Sequence, residues 1–597
     1  MLPTTPIIST KGHSMPVGKI RLFWALLCCI LLITFGLRLI TLDHGLPGLQ
    51  VGDENSDLST ALRLTEGELP KRHVRYHRSL IAYVDGAAVM GLLGSELLAG
   101  NVRSLAQFRD LYFRDYDRFV WFTRLMMACL TTLAVLFVGL AGRAIHPRIG
   151  LLAALVLAIN GFFLINSVFA LPDGLVTFSA ALFMWMVMRL WQHRRKRDYF
   201  GTGIVLALVM LSKFSAVSIA AGLVVAHIGI VWEETGSSGR WQFLKRVVLH
   251  PGVLWAALGV IAGNLLLNPL GFIYPDDLRY EINRMFGYAY SPYESSLTGQ
   301  LKIIWAQIKD MTLYAWRWMV PMSLLGLVAF RRWKLTIPYW IVVAAFMALF
   351  IMIGRVISVN YKVFFWTPWL IPMALLSAIG IDWLIGLSSR GVWRAVLVGA
   401  AALLLMLEGL FTLKVVDIFE HTDTRLQAKQ YIEQQIAPNT PILIGSPLAY
   451  SVPLRRDETS ITRAIQLGAT KLKSWQWWLD QPADRRPGPV YDLYGPEFRA
   501  TTASHDLLQE MIASNAIQYV IETEYCYGPK NPESQATIDF PVLSEKQRSQ
   551  WELVEIFSPF GSDECLSKID DRTGLAHARF LDQQQRTGPI VRIYRVR

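Results

Sequence analysis

FTRLMMACLTTLAVLFVGLAGRAI, residues 122 to 145, decides what kind of protein this is. Between Arg124 and Arg143 it carries no charge. A helix needs about 20 mostly apolar residues to cross a hydrocarbon core roughly 30 Å thick. This run meets that length, and runs like it recur along the 597 residues. Composition agrees: 53% of the chain is hydrophobic and only 17% charged, against about 25% charged in ordinary soluble domains. The net charge of +12 is not the mark of a nucleic-acid binder. Its cations gather in short loops between apolar runs, where they read as topology. The stretch from Arg21 to Ile40 is too long for the apolar region of a cleavable signal and lacks a small-residue cleavage site.

Working outward from that run, eleven spans are expected near 20–40, 119–142, 149–169, 174–191, 200–212, 214–231, 249–272, 311–330, 335–354, 363–386 and 395–413. The fifth is short, and the fifth and sixth read equally well as one broken helix. Alternate loops carry Lys19 and Arg21, Arg143 and Arg148, RRKR (Arg194 to Arg197), Lys245 and Arg246, RRWK (Arg331 to Lys334), and Arg390 and Arg394. The positive-inside rule puts that set, and the N-terminal arm 1–19, in the cytoplasm. The segment 20–413 is then the membrane domain, with a long outer loop over 41–118, and 414–597 lies outside. LIAYVDGAAVMGLLGSELL (Leu80 to Leu98) has the length of a span, yet Asp85 and the charge balance favour a helix lying at the interface.

The tail changes character after Leu413. TRLQAKQYIEQQI (424–436) has helical spacing, and PILIG, QYVIET and PIVRIYRV read as buried strands. About 180 residues of mixed periodicity can bury a core, so an α/β domain is expected. Cys28, Cys29 and Cys129 fall in spans, where packing is their expected role. Cys526 and Cys565 are the only cysteines of the tail, and an oxidising exterior predicts that they pair.

Four polar features meet at the outer ends of the spans. VGDENSDL (51–58) places Asp53 and Glu54 side by side, with Asp57 read as a solvated loop charge. FALPDGLVTF (169–178) puts Asp173 in an outer turn. LSKFS puts Lys213 at another. KRHVRYHR (71–78) brings Arg75, His77 and Arg78 just before the helix at 80–98. Each has a structural reading: a cap for the acids, snorkelling for the lysine, a headgroup patch for the basic stretch. Together they describe an outward cleft for a lipid phosphate and a hydroxyl acceptor. Transfer from a lipid phosphate needs a carboxylate base and cations where charge grows on the leaving phosphate. No GxxxxGK[ST], GxGxxG or HExxH motif occurs. Glu408, inside the last span, has no assigned role at this level.

The order of these motifs is familiar. The DE pair at Asp53–Glu54, RSLIAYVDG (78–86), the run at 122–145, ALPDGLVTFSAALFMWM (170–186) and the Lys213 junction resemble the GT-C membrane glycosyltransferases that use polyprenyl-phosphate sugars. Within that class the resemblance is to bacterial aminoarabinose transferase and its relatives, and more distantly to the protein O-mannosyltransferases. The resemblance spans roughly residues 20 to 385. It implies transfer by a multi-pass protein of the bacterial inner membrane, from a polyprenyl-phosphate donor to a protein, lipid or glycan acceptor; the loop charges place the site on the extracytoplasmic side, and because no residue stands out as a separate covalent nucleophile, inversion is expected. It implies Asp53 as base, with Glu54 and Asp173 orienting substrate, and Arg75, His77, Arg78 and Lys213 holding the phosphate. A divalent metal at the acids is the one cofactor left open. The chain departs from the pattern where Asn55, Ser56 and Asp57 follow the DE pair. It departs again at VNYKVFFWTP (359–368), where Tyr361 and Lys362 stand in for a loop that in the family often reads like RYLLP. The alternative class is a transporter or lipid flippase, which would place ionisable residues mid-span and show related halves.

Overall fold

The structure, a computed structural model, describes residues 17–46, 52–65, 79–236, 239–276, 318–329, 336–357, 363–387, 391–444, 451–466, 473–482, 488–495, 516–526, 549–567 and 580–596, with isolated positions between them. Helix α1 (Val17–Ile40) is followed by a long loop holding α2 (Gly52–Thr65), α3 (Ser79–Leu98) and α4 (Leu105–Arg114). The bundle continues with α5 (Tyr116–Arg143), α6 (Pro147–Ala158), α7 (Gly161–Val168), α8 (Pro172–His193) and α9 (Lys196–Ser212). A 3-10 stretch, Phe214–Ala220, opens α10 (Ala221–Thr235). Then come α11 (Arg240–Leu249), α12 (Pro251–Leu267), α13 (Pro269–Ile273), α14 (Met319–Val328), α15 (Ile337–Ile357), α16 (Leu370–Ile385) and α17 (Gly391–Glu420).

Prolines set several of these starts. Pro147, Pro172, Pro251 and Pro269 each stand at a helix N-terminus, where the missing N–H costs nothing. Among the described residues, eight helices are long and apolar enough to cross a membrane, or nine with one bent pair. Eleven were expected from the apolar runs. Lys196–Ser212 and Met319–Val328 are too short to qualify, and α15 counts only over Ile337–Ile351, where its side chains are described, while Leu80–Leu98 does qualify. The stretch expected at the interface is therefore a 20-residue apolar helix, and length alone does not separate the two placements. The bent pair is α6 and α7. What reads as one span over 149–169 breaks at Ile159–Asn160 by 61°.

Helices α9 and α12 approach closely because Gly203 and Gly259 face each other's backbone. A Cβ on either would collide with the carbonyl of Ala256 or Phe200, and small residues at such crossings drive helix packing in lipid. The main core gathers Val135, Val138, Ala154, Val176, Met184, Leu370 and Leu375, all shielded from solvent. Cys28, Cys29 and Cys129, whose expected role is packing within spans, are free and exposed.

Helix α17 does not stop at 413 but runs on to Glu420. Beyond it, α18 (Thr424–Gln435), α19 (Glu458–Gln466) and α20 (Lys473–Asp480) surround a five-stranded sheet. Its strands are β1 (Pro441–Ile444), β2 (Asp492–Tyr494), β3 (Tyr519–Glu524), β4 (Glu552–Phe557) and β5 (Ile590–Arg595), in the order β2-β1-β3-β5-β4. β1 pairs in parallel with β2 and β3, and β5 lies antiparallel between β3 and β4. The apolar face of α18 (Ala428, Ile432) packs on Ile442, Ile444, Ile521 and Ile593, as its helical spacing predicts. A disulfide joins Cys526, just after β3, to Cys565, beyond β4.

The tail domain sits on the first loop. Trp477 of α20 stacks on Phe113 of α4 at 5.4 Å and donates its indole N–H to Asp110 at 3.2 Å. Nearer the bundle, Leu575 and Leu581 share a core with Leu164 and Val168 of α7 and Val415 of α17.

Candidate active site

The site is built where α1 ends, α2 begins, and the α7–α8 turn comes up between them. Arg124 lies two turns into α5 and is 1% exposed. Its Nε and Nη2 donate to Glu54 Oε1 and Oε2 at 2.8 and 2.9 Å. Its Nη1 donates to the carbonyls of Leu42 and His44 at 2.9 and 2.6 Å. Glu54 Oε1 also accepts the backbone N–H of Ala170 at 2.9 Å. This cluster ties the end of α1, the first turn of α2 and the turn before α8 to one guanidinium. Fork-to-fork geometry with charged partners is the strong form of hydrogen bonding, and here it is buried on both sides.

Asp53 stands in the first turn of α2; its side chain lies outside the described residues. Glu54, expected to orient substrate, spends both oxygens on Arg124 and Ala170 instead. Asp57 is not the solvated charge that its polar neighbours suggest. It lies one turn along the same helix face as Glu54 and is completely buried. Asp85 of α3, also completely buried, has neither carboxyl oxygen hydrogen-bonded among the described residues.

Asp173 sits in the first turn of α8, where a helix N-terminus favours negative charge. Lys213 caps the C-terminus of α9 and donates to Asp173 Oδ1 at 2.7 Å. The pair is buried, with the side chains 11% and 5% exposed. The resemblance implies separate tasks for these residues, Lys213 holding phosphate and Asp173 orienting acceptor or donor; the structure joins them. Arg75, His77, Arg78, Tyr361 and Lys362 lie outside the described residues.

Both pairs occupy the same end of the bundle. The opposite ends of α8 and α5 carry the RRKR loop and Arg143, and Arg143 lies over the rings of Phe23 and Trp24 near the start of α1. Beside the site runs a groove of about 480 Å³, lined by Leu64, Leu80, Tyr83, Leu266, Leu267 and Leu270, with Glu68 on its wall. Leu80 and Leu267 also pack with Leu175 and Leu211, each two residues from Asp173 or Lys213. The groove therefore adjoins the Asp173–Lys213 pair.

His44 connects the site to the tail. Its ring stacks on Phe419 at 4.1 Å, and its Nδ1 donates to the Phe419 carbonyl at 3.3 Å. Burial lowers its pKa to about 4; Asp423 opposes the shift and Arg124 adds to it. Asp423 in turn binds Arg425 through two hydrogen bonds of 2.9 and 3.0 Å. Burial alone would raise the Asp423 carboxyl, but Arg425 outweighs it and holds the group below the usual range.

Sequence reasoning missed Arg124, the Ala170 N–H and His44. An arginine two turns inside an apolar run was the available signal for the first, since such a charge needs a buried partner. A backbone N–H and a histidine in a turn leave no comparable mark.

Among the described residues, no group of three or more His, Cys, Asp or Glu side chains is arranged to hold a metal ion. Asp57 and Asp85 are the acids whose chemistry suits a hard divalent cation, which often takes only one or two carboxylates and completes its shell with phosphate and water.

Residues 117–262 match the model of a family described as dolichyl-phosphate-mannose-protein mannosyltransferase. That is a class of membrane glycosyltransferases, the class the motif order implies. The matched segment contains Arg124, Asp173 and Lys213; the DE pair lies before it. Among curated proteins, none matches the chain. Among solved structures, archaeal oligosaccharyltransferase AglB from Archaeoglobus fulgidus, in complex with an inhibitory peptide and a dolichol-phosphate, aligns at 13% identity and TM-score 0.44, covering 85% of this chain and 70% of that one. ArnT from Cupriavidus metallidurans, bound to undecaprenyl phosphate, aligns at 12% identity and TM-score 0.41, covering 90% and 96%. The Archaeoglobus fulgidus oligosaccharyltransferase in complex with Zn and sulfate aligns at 12% identity and TM-score 0.40, covering 83% and 67%.

Proposed function

We propose that the chain moves a sugar from a polyprenyl-phosphate carrier to an acceptor hydroxyl, at the outer face of a bacterial inner membrane. The observation that carries this reading is the Arg124–Glu54–Ala170 tie. It fixes the first turn of α2, which bears Asp53, against the turn that bears Asp173. In this reading Asp53 takes the proton from the acceptor hydroxyl as its oxygen attacks the anomeric carbon. The bond from that carbon to the phosphate oxygen breaks in the same displacement, so the configuration inverts.

Lys213 and the cations Arg75, Arg78 and Lys362, with His77 and Tyr361, take up the charge that grows on the departing phosphate. Because Lys213 already binds Asp173, its ammonium is pre-oriented and lacks the freedom of a surface lysine. The leucine-lined groove suits the isoprenoid tail, which is apolar and flexible and needs shape more than polar contacts. A divalent ion, where one takes part, would be held by Asp57 and Asp85 and would neutralise phosphate charge. The basic loops at the far end of the bundle support a cytoplasmic placement for that end.

A second reading is favoured by one feature. The broken third span, with a buried glutamate against the break, is the kind of element transporters use at their binding sites. Purified protein in nanodiscs, supplied with radiolabelled sugar on a polyprenyl-phosphate carrier and a hydroxyl acceptor, separates the two. Label moving to acceptor, and lost in Asp53→Asn, supports transfer. Carrier crossing a liposome bilayer without sugar release supports transport instead.

A further inference from the structure

Glu408 lies deep in α17, is 7% exposed, and has no role in the proposed chemistry. Its Oε1 accepts Asn160 Nδ2 at 3.0 Å. Asn160 is the residue at which the third span breaks, and its Oδ1 accepts the N–H of Phe163, capping α7. Thr412, one turn along α17, donates its hydroxyl to the Ile159 carbonyl beside the same break. Gly161 completes the fit, because any Cβ there would strike the ring of Phe411. So Glu408, Phe411 and Thr412 of one helix fill the gap opened by the bend of another.

A bent span exposes backbone groups that lipid cannot satisfy, and a neighbouring helix must supply their partners. α17 is that neighbour. Only a short stretch separates the bend from the site: α7, then Phe169 and Ala170, then the first turn of α8. Ala170 N–H binds Glu54, and Asp173 comes three residues later. The direction taken by α7 therefore sets where Ala170 and Asp173 stand relative to α2. The other side of α7 is also held, by Arg38 over the Phe163 ring at 4.5 Å.

We propose that Glu408, acting through Asn160, is a positioning residue for the transfer reaction: it holds the bend that delivers Ala170 and Asp173 to the site. This rests on the transferase reading above. Since α17 is continuous with the chain entering the tail domain, the same contact links that domain to the site geometry. A displacement of about 1 Å at reacting groups can cost 10²-fold in rate, so loss of the hold should appear in turnover before it appears in binding.

The test compares Glu408→Leu, which removes the acceptor, with Glu408→Gln, which keeps an acceptor oxygen in place. In nanodisc-held protein, hydrogen exchange of the segment 161–171 is expected to rise about tenfold or more in Glu408→Leu and to stay near wild type in Glu408→Gln. Turnover should fall by about 10- to 100-fold in the leucine variant with the donor KM within about threefold, and recover in the glutamine variant. Thr412→Val, which loses the second hydrogen bond without touching a charge, is the companion should the leucine variant fold poorly; a smaller change in the same direction is expected. Unchanged exchange in Glu408→Leu or Thr412→Val would overturn the proposal. So would raised exchange with wild-type turnover, since the bend would then be structural only. Wild-type protein inactive with every lipid-linked sugar tried would sink the transferase reading, while the exchange measurement would still decide whether Glu408 holds the bend.

Discussion

Arg124 reaches Glu54 across 70 positions of sequence and closes on it with two hydrogen bonds of 2.8 and 2.9 Å, both side chains 1% exposed. Removing one member of such a pair leaves the other charge buried and alone, at a cost of about 3–5 kcal/mol. Arg124→Met should therefore lower thermal stability sharply, and Arg124→Lys should hurt as well, because a lysine cannot serve Glu54, Leu42 and His44 at once. Pairing Arg124→Met with Glu54→Gln should recover part of the loss. A double variant no more stable than Arg124→Met alone would show that the two residues are not energetically coupled.

The catalytic prediction concerns the residue beside it. Asp53→Asn keeps shape but cannot accept a proton, so turnover should drop by about 10²–10⁴-fold while donor binding changes little. Single-turnover kinetics with labelled donor would check this. Normal turnover in a well-folded Asp53→Asn protein would move the base elsewhere, with Asp173 the next residue to change.

Acid should loosen the junction between bundle and tail. His44 is neutral when folded because burial lowers its pKa to about 4, whereas an unfolded histidine titrates near 6.5. Below pH 6.5 the unfolded chain takes up a proton that the folded chain refuses. Stability therefore falls as pH drops from about 6.5 to about 4, by up to about 3 kcal/mol. Asp423 is likewise held below an unfolded carboxylate, by Arg425, so its contribution is lost in the same direction but only at still lower pH. Melting curves from pH 7 to 4.5 should show the slope, and His44→Gln should flatten it. An equal slope in that variant would assign the effect to another group.

The fourth prediction lies in the tail. The Cys526–Cys565 bridge closes a loop of 39 residues, worth about 2–4 kcal/mol by loop-closure entropy. Reduction, or Cys526→Ser with Cys565→Ser, should destabilise the tail domain and leave the bundle's own unfolding nearly unchanged. Mass mapping of unreduced protein with both thiols free to alkylation would remove the premise.

What could be read from sequence was whatever is written locally. Apolar runs are local, so most of the long apolar helices could be read from the sequence. The strands β1, β3 and β5 were visible as short apolar runs. β2, only three residues long, and β4, with glutamates at Glu552 and Glu555, lack that pattern. The break at Ile159–Asn160 was invisible because α6 and α7 are equally apolar, and only the contact with α17 separates them. Asp57 looked solvated because its sequence neighbours are polar, yet in space it sits below Glu54. Asp53, Glu54 and Asp173 stood out in the sequence because carboxylates near a membrane are rare; Arg124, which binds Glu54, was passed over as part of a span.

Helix α17 contacts the bend of the third span at Glu408 and stacks on the first loop at Phe419. These two contacts are eleven residues apart on one rigid rod, so their spacing and relative azimuth are set by residue count alone. Each residue added between them would lift the tail by 1.5 Å and turn it by about 100°. A single insertion between 412 and 418 could keep one contact in register but not both. The helix thus works as a gauge, and the distance between its two marks is encoded in chain length alone, indifferent to the side chains between them.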